Sequence, residues 1–171
     1  ASNNDSVGNV LATDVDTVGS LQNWTITSGN GDGIFQINAA TGEITIADNT
    51  NLDYETTTSY VLGIQVGDGV NTSAVENVTI DITDVNDVTP TVDGGQTFNL
   101  SEAAINGTSV GTVTATDPDT VGSLQNWSIV SGNTDGIFQI NAATGEITVL
   151  DNTNLDYEST TSYVLGIEVS R

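Results

Sequence analysis

Apolar and polar residues alternate in short runs along this chain, and clusters of Gly, Asn, Asp and Thr separate one run from the next. Within residues 75–83, Val78, Ile80 and Ile82 share one face and Thr79, Asp81 and Thr83 the other, the period of two that a half-buried strand requires. The same reading predicts strands at 98–100, 109–115, 124–130, 136–140, 146–150 and 162–169. No stretch carries the period of a long amphipathic helix, so the pattern is that of an all-β sandwich.

The pattern also repeats. Trp24 returns at Trp127, an offset of 103 residues, and the whole of residues 32–44 recurs unchanged as residues 135–147. Leu52-Asp53-Tyr54-Glu55 returns as Leu155-Asp156-Tyr157-Glu158. The 171 residues therefore hold two copies of one module, residues 1–90 and residues 91–171. Trp24 and Trp127 read as plugs between two sheets, and Tyr54, Tyr60, Tyr157 and Tyr163 as packing residues with the hydroxyl at an edge.

Charge narrows the choice of partners. There are 23 acidic residues and one basic residue, Arg171, for a formal net charge of -22. Such a chain repels nucleic acid and anionic membrane surfaces, because it has almost no cations with which to displace counterions. No apolar run is long enough to span a bilayer. What the chain attracts is cations, and with no Cys and no His the ligands it offers are oxygens, which select hard ions such as Ca²⁺ or Mg²⁺ over zinc or copper. Without His, Cys or Lys only carboxylates, hydroxyls and one Arg remain for catalysis, and the carboxylate pairs recur at the repeat period, whereas an active site need occur once. An enzyme is not expected.

The carboxylates concentrate where strands should end. Asp53 and Glu55 lie two apart, as do Asp117 and Asp119, and on extended backbone each pair leaves from one face. Asp84-Val85-Asn86-Asp87 places three oxygen-bearing side chains just before Pro90. Taken singly, each of these residues also suits a turn, where Asp and Asn accept backbone N–H bonds.

Together, Asp117-Pro118-Asp119, Leu52-Asp53-Tyr54-Glu55 and Asp84-Val85-Asn86-Asp87-Val88-Thr89-Pro90 resemble the DxD, LDRE and DxNDxxP motifs of cadherin repeats, in that family's order and spacing. Tyr54 stands where the family has Arg, which leaves the ligand positions unchanged. The resemblance implies two tandem cadherin-like, Ig-like Greek-key β-sandwich repeats of an extracellular or cell-surface protein, with Ca²⁺ held between consecutive repeats. It implies Asp53, Glu55, Asp84, Asn86, Asp87, Asp117, Asp119 and Asn126 as ligands. Asp14, Asp16, Asn23, Asp68, Glu102, Asp156 and Glu158 become half-sites for neighbouring repeats. Ca²⁺ accepts six to eight oxygens at about 2.3–2.6 Å in irregular geometry, which suits such a set.

Two departures shape further expectations. Ala1 aligns with Ala104 and Arg171 with Asp68, so the first repeat is expected without its opening strand and the second without its final strand, Arg171 standing where a ligand Asp belongs. Open sheet edges favour strand complementation by neighbouring repeats of the same or identical chains, or a filament. The function expected is a calcium-stiffened stalk or adhesive repeat, of the kind carried by bacterial and archaeal surface proteins. The alternative, a carbohydrate-binding accessory module of a secreted protein, would need exposed Trp24 or Trp127.

Overall fold

The computed structural model describes residues 1–16 and 18–171, and its compact units are Ala1–Thr83 and Asp84–Arg171. No α-helix occurs among the described residues.

The first unit is built from β1 (Ser6–Asn9), β2 (Gln22–Ser28), β3 (Phe35–Ile37), β4 (Glu43–Ile46), β5 (Ser59–Gly67) and β6 (Glu76–Asp81). They form two antiparallel sheets, ordered β1-β4-β3 and β2-β5-β6. The inner faces enclose Trp24, Ile34, Phe35, Ile44 and Leu62, and Val78 and Ile80 of β6 pack against this core on one side, as their alternation predicts.

The second unit contains β7 (Thr91–Val92), β8 (Ser109–Thr112), β9 (Ala115–Thr116), β10 (Gln125–Ser131), β11 (Phe138–Ile140), β12 (Glu146–Val149) and β13 (Gly166–Ser170). Its sheets are ordered β11-β12-β8, β10-β13 and β7-β9. Trp127, Ile137, Phe138 and Ile147 occupy the core positions of their first-unit counterparts.

The β3–β4 hairpin shows why its sequence returns unchanged. Asn38 Oδ1 accepts the amides of Ala40 and Thr41 at 2.9 and 3.2 Å, an Asx turn. Gly42 follows at φ 73°, and a Cβ there would lie 2.9 Å from the Trp24 indole. Gly145 repeats the arrangement against Trp127, at φ 72°. Upstream, Asn23 and Asn126 take φ of 58° and 56°, where the pairing of β2 with β5 and of β10 with β13 shifts register. Asn tolerates the left-handed region better than most residues, and the bulge hands the Trp24 amide to the Ala39 carbonyl of the hairpin. Both Trp side chains are 5% exposed, so neither presents a face for sugar stacking.

Several predicted strands are shorter than their patterns or absent. Residues 98–100 form no strand: Phe98 lies instead over Gly111, and the segment joins no sheet. The stretch 109–115 is interrupted between β8 and β9, residues 162–165 stay outside β13, and β7 was not foreseen. Tyr157 is 61% exposed, against its reading as a packing residue, whereas Tyr60 and Tyr163 make edge-to-face contacts with Phe35 and Phe138 at 5.2 and 5.3 Å.

Candidate metal centre

The carboxylate pairs are held by turns, not by extended backbone as their two-residue spacing suggested. In each, the first Asp accepts the amide two residues on: Asp14 from Asp16 at 2.9 Å, and Asp53 from Glu55, Asp117 from Asp119 and Asp156 from Glu158 at 3.1 Å. The Asx turn pins one oxygen of the first carboxylate and brings the second residue round beside it. At Asp53 and Asp156 the turn is closed by the amides of Thr57 and Thr160, each 2.9 Å from the Asp carbonyl.

In the first unit, Asp14, Asp16 and Asp68 offer oxygens that all lie within 4.8 Å of one another. Asp68 sits in its own turn, accepting the amides of Asn71 and Val70 at 2.6 and 2.7 Å, and these bonds hold its carboxyl below the usual carboxylate range. Asp53 is likewise lowered, chiefly by the Thr56 hydroxyl at 2.7 Å.

In the second unit, Glu102, Asp156 and Glu158 form another such group, and Glu102 reaches it by accepting the Tyr157 amide at 3.0 Å. The Ser159 hydroxyl lowers Asp156, whereas the hydrogen bond shared with Asp156, together with the charge of Glu102, pushes Glu158 up. Like charges gathered this closely repel one another, and a cation between them would relieve that repulsion.

The segment entering the second unit is fastened to its Asp117-Pro118-Asp119 turn. Thr120 donates both its amide and its hydroxyl to Asp84, and the Val88 amide donates to Asp119 Oδ2 at 3.0 Å. Asp84 and Asp119 carry oxygens within 4.8 Å of each other. Asp119 is only 3% exposed, yet its Oδ1 has no hydrogen-bond partner among the described residues. A buried carboxylate oxygen left over in an all-oxygen setting fits a hard cation, since an uncompensated buried charge is costly.

Arg171 also reaches this turn. Its Nη1 donates to the Asp119 carbonyl at 2.6 Å and lies 2.9 Å from Asp117 Oδ2, an ion pair without the alignment of a hydrogen bond. Asn86 and Asp87 are exposed, along a shallow recess that Pro90, Val169 and Arg171 help to line. Asn126 is exposed and donates to Ser170 Oγ at 2.9 Å, and Asn23 is exposed at its bulge. Sequence reasoning missed Thr120, Val88, Thr56 and Ser159. The signal available for the last two was a hydroxyl residue three positions after an Asp, a common turn closure.

These features define a class: tandem β-sandwich modules with carboxylates collected in turns. The chain belongs to the cadherin family, the cadherin domain matching residues 1–83 and 96–171. It is 36% identical to human Protocadherin Fat 1 over 152 residues, 86% of this chain and 3% of that protein. To Drosophila melanogaster Cadherin-86C it is 34% identical over 157 residues, 85% of this chain and 8% of that protein. The human Desmocollin-1 ectodomain superposes with a TM-score of 0.71 at 26% identity, over 99% of this chain and 34% of that one. Chicken VE-cadherin EC1-2 gives 0.73 at 24% identity, over 99% and 83%, and shows the shared fold. The chain thus spans a small part of the curated relatives it matches. Cadherin domains are extracellular adhesion modules, not enzymes, and as a class they bind Ca²⁺. No helix among the described residues is long and apolar enough to cross a membrane.

Proposed function

We propose that this chain is a calcium-binding structural and adhesive segment of an extracellular surface protein or filament, its carboxylate turns serving as divalent-cation sites that stiffen the link between repeats. The observation that carries this reading is the buried Asp119 Oδ1, without a hydrogen-bond partner among the described residues, beside a segment already pinned through Asp84 and Val88. When bound, Ca²⁺ supplies the positive charge that lets these carboxylates share one small volume. The chain's own residues do the rest. The Asx turns preset the oxygens, and Thr120 and Val88 hold residues 84–88 in one position, so little freedom remains to be lost on binding. Asp87 and Asn86, exposed on the same segment, are proposed to complete the set. Neighbouring repeats of the same or identical chains are the proposed partners of the groups at Asp14, Asp16 and Asp68 and at Glu102, Asp156 and Glu158.

Thermal unfolding and solution scattering in millimolar Ca²⁺, in Mg²⁺ and in chelator test the reading. Ca²⁺ should raise the unfolding temperature and narrow the spread of shapes, Mg²⁺ should do less, and Asp84→Ala with Asp87→Ala should abolish the difference. Identical curves in Ca²⁺ and chelator would end it.

A further inference from the structure

The two repeats present the same turn with opposite third members. In the first, Asp14 and Asp16 meet Asp68. In the second, Asp117 and Asp119 meet Arg171, which aligns with Asp68 and is the one basic residue of the chain. Its placement is built: the guanidinium bonds the Asp119 carbonyl and pairs with Asp117 Oδ2. The stem lies over Gly122, at φ 85°, where a Cβ would come within 3.1–3.2 Å of Arg171 Nε, Cδ and Cγ. The charges also balance alike. A divalent ion added to three carboxylates leaves one negative charge, and Arg171 beside two carboxylates leaves the same.

We propose that Arg171 is a tethered cation which stands in for a divalent ion at Asp117, so that the first repeat's Asp14–Asp16 turn takes its counter-charge from a metal while Asp117 takes its own from within the chain. This rests on reading the carboxylate groups as cation sites. The guanidinium gives Asp117 Oδ2 a counter-charge, whereas Asp119 Oδ1 has no hydrogen-bond partner among the described residues, so Asp119 keeps an oxygen for an ion while the position beside Asp117 is already filled by a cation. Arg171 therefore sets how many divalent ions the second repeat takes.

The test uses the full chain, with Arg171→Gln, which keeps most of the stem and removes the charge, Arg171→Asp, Asp117→Asn and the double variant Arg171→Gln with Asp117→Asn. In chelator, calorimetry should show Arg171→Gln lowering the unfolding temperature, with most of that loss absent in the Asp117→Asn background; a role in packing over Gly122 alone would be unchanged by Asp117→Asn. In calcium titrations, Arg171→Asp should bind one more ion than the unaltered chain, since affinity follows ligand charge. Equal stability of Arg171→Gln and the unaltered chain in chelator, or an unaltered ion count in Arg171→Asp in a chain that binds Ca²⁺ elsewhere, overturns the proposal. If no variant binds Ca²⁺, the proposed function fails, and the cycle in chelator still decides whether Arg171 is the counter-charge of Asp117.

Discussion

Residues 57–64 and 160–167 are the same eight amino acids, and they do not fold the same way. In the first repeat β5 starts at Ser59 and pairs with β6 from Ser59–Asp81 to Ile64–Glu76. In the second, β13 starts only at Gly166 and pairs with β10 alone. Val61 is 48% exposed and its twin Val164 is 85% exposed. Residues 32–44 and 135–147 are also identical, yet both become the same hairpin with the same Asx turn and the same glycine under a Trp. The hairpin's ladder and turn are supplied from within 13 residues, so it carries its own partner. The other segment needs β6, whose side chains Val78 and Ile80 cover the first core, whereas in the second repeat Phe138, Tyr163, Leu165 and Ile167 line an open apolar groove. A strand is a property of a pair, because its backbone groups and its apolar face both need a neighbour.

Supplying that neighbour should have the largest effect. Fusing a copy of residues 69–83 directly after Arg171 should bring residues 162–165 into the strand, with amide protection matching that of residues 59–62. Each Val or Ile newly buried should add about 1.5–3 kcal/mol. Unchanged exchange at Val164 and Leu165 would show that a pairing strand does not by itself account for the difference between the repeats.

Single truncations should grade the same contrast. Leu62 is fully enclosed, so Leu62→Ala should cost about 2–5 kcal/mol, whereas Leu165, half-buried at the groove, should cost less than half of that on the same denaturation assay. Equal losses would mean that the groove is closed in solution.

The smallest effect expected is on pH dependence. Asp53, Asp68 and Asp156 have lowered folded values, so each contributes stability above the ordinary carboxylate range, about pH 4, that disappears as pH falls through its folded value. Glu158 is raised, so its contribution is present below that range and is lost as pH rises through its folded value. In chelator, Glu158→Gln should therefore flatten the decline of unfolding temperature on the upward side of pH 4, and Asp156→Asn should weaken the acid-side loss. Added Ca²⁺ should erase the Glu158 effect.

The candidate site was legible as a set of residues but not as a geometry. The resemblance grouped Asp14 and Asp16 with Asn23, and Glu102 with Asp156 and Glu158; the fold gathers the second set, and beside Asp14 and Asp16 it places Asp68, whereas Asn23 sits at its bulge. The cause assigned to the pairs was incorrect: they sit on Asx turns, because an Asp carboxylate competes for a nearby amide wherever no ladder claims it. Arg171 was visible only as a missing ligand, since a residue's approach to Asp117 across 54 positions cannot be read from either residue alone.

By itself, the sequence determined the all-β class, the doubled module, the buried Trp pair, the oxygen-only chemistry and the hairpin with its Asn-to-Gly turn. These follow from composition, from periodicity and from interactions a few residues long. Tertiary structure alone decided that Phe98 left the sheet and that the lone guanidinium came to rest on a carboxylate turn. Each depends on a partner distant in the chain, and a backbone amide or a buried charge takes its conformation from whichever partner the fold brings to it.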